Sequence, residues 1–401
     1  MTIDEGYERG VGPQVNSLNV LSVFGTRPEA TKMAPLVKAL ERRKPLIKSK
    51  VLITAQHREM LDQVLADFGI KADYDLDVMR ENQTLAETTQ RVLAGLTPIL
   101  QAEKPDVVLI HGDTVTTASA ALAAYYLRIP CGHVEAGLRT GDKHAPFPEE
   151  IMRKIADAIS DIHFAPTELS KHNLLREGLS EESIFVTGNT AVDALLMTVR
   201  PDYVFKDERL SRIDFGASCK NILVEVHRRE NFGQGMEDVG AALAEIARTR
   251  EDVRLLVSVH KNPSAREPIL RHLTRAPRTI LFEPVDYPDY VNLMDRCYLV
   301  VTDSGGAQEE APTLGAPVVL CRGKTERPEA LSSGTVVLVG TDRRLIVDTV
   351  LDLLDNPKRY DAMSKAANPF GDGRASARTV QALLYWFGLS SERPEDFRPS
   401  M

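Results

Sequence analysis

YLVVTDSGGAQEEAP (298–312) joins an apolar run to a helical pattern through Asp303-Ser304-Gly305-Gly306. Tyr298 to Val301 has the unbroken apolar character of a strand buried on both faces. A strand that empties through small residues into a helix start is the repeating piece of a parallel α/β sheet. Such a junction also suits an anion, because the first N–H groups of the helix have no intrahelical acceptor and the positive end of the dipole points outward. Glu309 and Glu310 lie within a turn or so of that site. Acids near a helix start complement the dipole, so helix capping and a ligand-facing role are both open readings of this segment alone.

Working outward, the same rhythm fills the chain. Before residue 200 the β-rich runs are NVLSVFG (19–25), KVLITA (50–55), DVVLIHG (106–112), CGHVEA (131–136), IHFAP (162–166) and SIFVTG (183–188). After residue 220 they are NILVEV (221–226), VRLLVSV (253–259), TILFEP (279–284), YLVVTD (298–303), PVVLC (317–321) and TVVLVG (335–340). Helical patterns such as APLVKALERR (34–43) and TASAALAAYYLR (117–128) lie between them. Apolar strands alternating with helices predict parallel sheets covered on both faces. The polar stretch 200–220 divides two such series, so the expected class is α/β with two Rossmann-like, doubly wound domains. Residues 1–17 are expected to be a disordered extension, 18–198 the first domain and 199–370 the second. Residues 371–401 are expected to carry a helix crossing back to the first domain and, beyond Leu389, a solvated tail.

The chain has 401 residues, 43% of them hydrophobic, enough for two cores. A formal charge of -8 with scattered basic residues argues against a nucleic-acid surface. The N-terminal MTIDEGYERGVGPQVNS is polar and acidic, unlike a targeting segment. No apolar stretch approaches the roughly 18 residues that span a membrane. Cys131, Cys219, Cys297 and Cys321 lie far apart, which fits buried free thiols in a reducing cytoplasm better than a zinc site.

In a parallel sheet the carboxyl ends of the strands carry the ligand site, and here those ends are polar. Thr26-Arg27-Pro28-Glu29 with Lys32 follows the first strand, His111-Gly112-Asp113-Thr114 the third, and His133-Val134-Glu135 the fourth. In the second half His227-Arg228-Arg229-Glu230-Asn231 and His260-Lys261-Asn262-Pro263 occupy the same places. One Asp after a strand is usually a helix cap; five polar clusters on one rim are harder to explain by capping. No G-x-G-x-x-G, H-E-x-x-H, paired C-x-x-C or G-x-S-x-G is present, and Gly323-Lys324-Thr325 lacks the first glycine of a P-loop because position 318 is Val. The remaining carboxylates, histidines and arginines suit acid–base chemistry on a phosphorylated or nucleotide-linked substrate, with no metal.

VFGTRPEATKMAPL (23–36), AQHREMLDQVL (55–65), HGDTVTT (111–117), GHVEAGLRTGD (132–142), PFPEE (146–150), HRRENFG (227–233), TDSGGAQEEAP (302–312) and TERPEA (325–330) resemble the non-hydrolysing UDP-N-acetylglucosamine 2-epimerases. The likeness runs from about Val20 to about Arg374. It implies a glycosyltransferase-B arrangement of two Rossmann-like domains flanking a cleft, a UDP-sugar as partner, a homodimer, and no cofactor. It implies interconversion of UDP-GlcNAc and UDP-ManNAc by elimination of UDP to 2-acetamidoglucal and re-addition. Carried over motif by motif, Asp113, Glu135 and Glu149 are the acid–base groups. His227 and Arg27 meet the departing diphosphate, with Lys32 and Arg327 assisting. Ser304, Gly305 and Gly306 hold the diphosphate, Glu310 accepts from the ribose, and Glu309 is left as a cap or surface residue. His260, Asn262 and Tyr290 are expected to contact the nucleotide or the domain interface, and Gln56 and His57 belong to a regulatory region.

Several positions depart from the usual form of that family: Glu225-Val226 before His227, Ile151-Met152 after PFPEE, Lys261, Val285, and Asn82 where some members carry an Arg for a second, activating UDP-GlcNAc. The reaction type therefore reads more firmly than the sugar, and weak activation is expected. A hydrolysing epimerase or a glycosyltransferase of the same fold is the alternative. A non-catalytic nucleotide-sugar binder would have little use for so many carboxylates in an anion site.

Overall fold

The computed structural model describes residues 16–55, 58–80, 83–216 and 219–399, with residues 58–60 described by their backbone alone. The chain divides into two units. The first comprises residues up to Ala194 together with Phe370–Arg398, and the second comprises Leu195–Pro369. The crossover falls inside the helix Thr190–Thr198, a few residues before the boundary expected after 198.

In the first unit the strands are β1 (Leu18–Phe24), β2 (Ile47–Ile53), β3 (Tyr74–Asp75), β4 (Val107–His111), β5 (Cys131–Val134), β6 (Ile162–Ala165) and β7 (Ile184–Val186). They form one sheet in the order β3-β2-β1-β4-β5-β6-β7, and every pairing is parallel. Successive side chains on a strand point to opposite faces, and both faces are filled here. Val20, Phe24, Val107 and Leu109 pack with Met33, Leu36, Val37 and Leu40 of the helix Arg27–Glu41. Their neighbours Leu21, Val23, Val108 and Ile110 face the other way, onto Leu96, Leu100, Ala120 and Ala124. β3 was not legible in the sequence, since two residues carry no periodicity.

The helix Ala375–Trp386 packs Val380, Leu383 and Leu384 into the β1 face of this unit. The tail beyond it corrects the expectation of a solvated end. The Phe397 N–H donates to Val186 O at 2.7 Å, Asp396 Oδ1 accepts from Val186 N at 3.1 Å, and Arg393 donates to Ile184 O at 2.8 Å. β7 is the edge of the sheet, and its backbone groups need partners. Phe397 is 4% exposed, a burial that contributes roughly 1.5–3 kcal/mol.

The second unit carries β8 (Lys220–Glu225), β9 (Val253–Ser258), β10 (Thr279–Phe282), β11 (Leu299–Thr302), β12 (Val318–Leu320) and β13 (Val336–Leu338), all parallel, in the order β10-β9-β8-β11-β12-β13. Ile222, Val224, Leu255, Val257 and Val301 pack against Met236, Val239 and Leu243 of the helix Gln234–Thr249. Both units are thus doubly wound. All four cysteines are free; Cys131 and Cys321 are buried, Cys219 and Cys297 half-buried.

Candidate functional site

In each unit the strand order reverses once, between β1 and β4 and between β8 and β11. Helices leaving two neighbouring strands toward opposite faces open a crevice beyond their carboxyl ends. In the first unit Gly25-Thr26-Arg27 and Gly112-Asp113-Thr114 stand at that point. Glu29 ties the two loops together. Its buried carboxylate accepts from Gly25 N at 3.0 Å and Thr26 N at 2.7 Å, and from Thr114 Oγ1 at 2.7 Å and Thr117 Oγ1 at 3.1 Å. Burial raises its pKa, opposed by those hydrogen bonds. Gly25 has no room for a side chain, because a Cβ there would lie 2.0 Å from Thr54 Oγ1. Arg27, next in line, is half-buried, and no carboxylate pairs with it among the described residues.

Each of the three expected acids has a different environment. Asp113 accepts from the Arg153 guanidinium, whose other arm donates to the buried Glu150 carboxylate at 3.1 Å. Glu150 in turn accepts the N–H groups of Thr140 and Gly141, each at 3.1 Å. Glu149 opens the same helix, Glu149–Ile159, and its Oε2 is buried without a hydrogen-bond partner among the described residues. Glu135 sits just past β5 with φ +66°, a left-handed conformation that costs a side-chain-bearing residue on the order of 1–2 kcal/mol. Its Oε2 accepts from Lys32 Nζ and from Asn189 Nδ2, the latter at 2.7 Å. His111 Nε2 lies 4.0 Å from the same oxygen. The His111 ring is buried and its pKa is pulled down to about 3, chiefly by burial against the opposing pull of Glu135.

Beneath these groups, His133 Nδ1 lies 2.6 Å from Asp157 Oδ1 and Nε2 lies 2.7 Å from Gly112 O. Both ring nitrogens face acceptors, so each hydrogen bond needs a proton from the ring or the acid. Asp157 also accepts from Gly137 N at 3.2 Å and pairs with Arg139 at 2.8 Å. The buried His133–Asp157 pair at the centre of this network holds the Gly112-Asp113 turn against β5.

In the second unit the organising residue is Asp303, fully buried past β11. It accepts from His227 N at 2.9 Å, Arg228 N at 2.9 Å and Asn231 Nδ2 at 2.9 Å. His227 is thereby held at the end of β8, its ring stacked on that of His260 with centroids 5.2 Å apart. The helix Gly305–Glu310 starts beside it. The Ser304 N–H is taken by Thr302 Oγ1 at 2.9 Å, which leaves the amides of Gly305 and Gly306 as those at the open helix start. A Cβ on Gly305 would lie 2.7 Å from the Arg327 guanidinium, so only glycine lets that cation close over the helix start.

One expectation is corrected here. Glu309 is not a surface residue: it is 1% exposed and pairs with Arg327 Nε at 2.6 Å. Arg327 also pairs with Glu326 at 2.6 Å, so its charge is already shared. The Asn262 side chain caps the helix Pro263–Leu273 by accepting from Ser264 N at 2.9 Å, while the Asn262 backbone N–H donates to His260 Nδ1 at 3.1 Å. Tyr290 donates to Glu225 Oε2 at 2.7 Å, and Tyr287 donates to Glu310 Oε1 at 2.9 Å. Glu310, 8% exposed, lies within 3.9 Å of where a Gly306 side chain would begin. Gln56, His57 and Asn82 lie outside the described residues.

The residues that sequence reasoning missed are Glu29, Arg153, Asn189 and Asp303 as the partners of the site. Two left a signal. Arg153 is one helical turn from Glu149 and Glu150, on their face, and Asn189 follows β7 as the other polar groups follow their strands.

The family model described as UDP-N-acetylglucosamine 2-epimerase matches residues 38–384. The UDP-N-acetylglucosamine 2-epimerase of Salmonella typhimurium is 54% identical over 371 residues, covering 91% of this chain and 98% of that protein. The crystal structure of UDP-GlcNAc 2-epimerase from Neisseria meningitidis bound to UDP-GlcNAc is similar with a TM-score of 0.84 and 45% identity, covering 92% of this chain and all of that one. A glycotransferase of kitacinnamycin, 11% identical with a TM-score of 0.62, shares the fold alone. By its sequence and by its fold, the chain belongs to the UDP-N-acetylglucosamine 2-epimerase family.

Proposed function

We propose that the chain interconverts UDP-GlcNAc and UDP-ManNAc by inverting C2. The observation that carries this is the set of three carboxylates, Asp113 after β4, Glu135 after β5 and Glu149 at the start of the next helix, beyond the carboxyl ends of neighbouring strands in a chain of this family. A sugar C2–H has no neighbouring carbonyl to acidify it. A base therefore removes that proton while the C1–O bond breaks and UDP leaves with the bonding pair, forming the C1–C2 double bond of 2-acetamidoglucal. A proton then returns to the opposite face of C2 and a UDP oxygen adds to C1. Every electron is accounted for without a redox cofactor.

Asp113, Glu135 and Glu149 serve as the acid–base groups, each contributing about 10²–10⁴-fold. Arg27 and His227 stabilise the charge that grows on the leaving diphosphate, with Lys32 and Arg327 assisting. The amides at Gly305 and Gly306 beside Ser304 receive the diphosphate, and Glu310 accepts from the ribose. His260 and Tyr290 shape the nucleotide side, and Asn262 supports His260 through its backbone N–H. The same reading carries a homodimeric, cytoplasmic enzyme, which sedimentation of the purified chain tests for its first part.

The experiment is proton NMR of UDP-GlcNAc with the protein in D₂O. A mixture of both UDP-sugars with deuterium at C2 is expected. Free ManNAc and UDP accumulating in equal amounts would instead mean a hydrolysing enzyme, and an unchanged spectrum a binding protein.

A further inference from the structure

We propose that Asn189 is a positioning residue for Glu135, and that the segment returning from the second unit sets its place. The Asn189 side chain divides its work. Its Oδ1 accepts from Ala191 N at 2.9 Å, a cap on the helix that follows, while its Nδ2 donates to Glu135 Oε2 at 2.7 Å. Capping needs only the oxygen, so the amide nitrogen is available for Glu135. Asn189 is 2% exposed and its backbone N–H donates to Phe370 O at 2.6 Å. Phe370 is the first residue of the returning segment. Gly371 comes so close that a Cβ there would lie 3.3 Å from Asn189 O and 3.0 Å from Val192. Phe397 of the tail packs against the neighbouring Gly188, 3.5 Å from where a Cβ would stand, at the same distance as Phe370 O and Gly371 Cα.

Asn189 therefore reaches Glu135 from a backbone fixed at several points, whereas Lys32 reaches the same oxygen at the end of a flexible stem. A carboxylate on a left-handed backbone has to be held by its surroundings. The rigid amide selects one orientation of Glu135 and, as a donor, favours its ionised form.

The inference rests on Glu135 being a catalytic carboxylate, and the test separates the two. Asn189→Asp keeps the capping oxygen, since Asp and Asn cap equally well, but places a carboxylate where the donor was. A like charge in contact raises a carboxyl pKa. The limb of the kcat–pH profile that Glu135 contributes is expected to move to higher pH by about one unit or more. Asn189→Ser keeps a capping oxygen too short to reach Glu135, and is expected to lower kcat about 10-fold or more with KM changed less than about twofold. Thermal unfolding and UDP affinity are measured alongside. A superposable pH profile in Asn189→Asp, or a loss of stability and UDP affinity that matches the loss of rate in both variants, overturns the proposal. Glu135→Gln, measured in parallel, distinguishes the failures. If it is inactive while both Asn189 variants behave as wild type, only this inference is wrong. If Glu135→Gln keeps full rate, the reading of Glu135 is wrong.

Discussion

Asp303, with no exposed surface, accepts the backbone N–H of His227 at 2.9 Å although 76 residues separate them. That carboxylate also takes Arg228 N and Asn231 Nδ2 at 2.9 Å each, so one buried charge shapes the loop after β8. A buried carboxylate is tolerable because each donor replaces lost hydration. Asp303→Asn would turn an amide NH₂ toward one set of donors. With hydrogen bonds to charged groups worth about 1.5–3 kcal/mol each, the variant should unfold several degrees lower and bind UDP at least about 10-fold more weakly. Calorimetry of unfolding and of UDP binding reads both; an unchanged melting temperature would show that the loop holds itself.

Asp113→Asn, Glu135→Gln and Glu149→Gln should each lower turnover by at least about 10²-fold, the lower range for an acid–base group. UDP affinity, measured by titration calorimetry, should persist in all three. A variant with wild-type rate removes that residue from the mechanism, and loss of UDP binding together with rate assigns it a structural role.

Replacing His227 or Arg27 by Ala should slow C–O cleavage more than it weakens ground-state binding, because the charge they meet develops as UDP leaves. Steady-state kinetics gives the answer: KM raised with kcat unchanged would make them uniform binding groups.

Acid should unfold the protein through specific carboxylates. Burial alone would raise the pKa of Asp157, but the charge of His133, its hydrogen bond and the charge of Arg139 prevail and hold it down to about 2. Glu326 is also held at about 2 against burial, by Arg327 and Arg322. A carboxyl with a lowered folded pKa stabilises fully above its unfolded value near 4, and that contribution disappears as pH falls toward the folded value. For fully buried Asp157 the loss is on the order of 2 kcal/mol. The melting temperature should therefore change little due to these groups from pH 7 to 5 and drop between about pH 4 and 2. Asp157→Asn, less stable at neutral pH, should show a shallower drop; a drop equal to wild type would rule Asp157 out as its source.

Activation by UDP-GlcNAc is expected to be weak, since the family resemblance aligns Asn82 with the Arg that some members carry for a second UDP-GlcNAc, and an amide cannot replace a bidentate cation. Nearby Arg80 donates to Asp77 O at 3.0 Å, which holds its guanidinium locally. Initial rates from purified UDP-ManNAc, with and without a trace of UDP-GlcNAc, decide this. A pronounced lag that the trace abolishes would show a working activating site.

The sequence by itself determined the two-sheet α/β class, because strands buried on both faces must be apolar throughout and their helices amphipathic. It also determined the family, through motifs that sit where strands end. Tertiary structure alone decided which of those polar groups meet. Lys32 and Asn189 reach Glu135 across 103 and 54 residues, Arg153 reaches Asp113 across 40, and Glu29 reaches Thr114 across 85. Such pairings follow from strand order, with β1 beside β4 and β7 at the edge, and periodicity along a chain carries no information about order. The same holds for the tail, which reads as charged and solvated until β7 presents an unpaired edge for Phe397 and Arg393 to cover. Burial turned Glu309 from an apparent cap into the partner of Arg327, since a carboxylate leaves water only where a cation 18 residues away in the chain is brought against it.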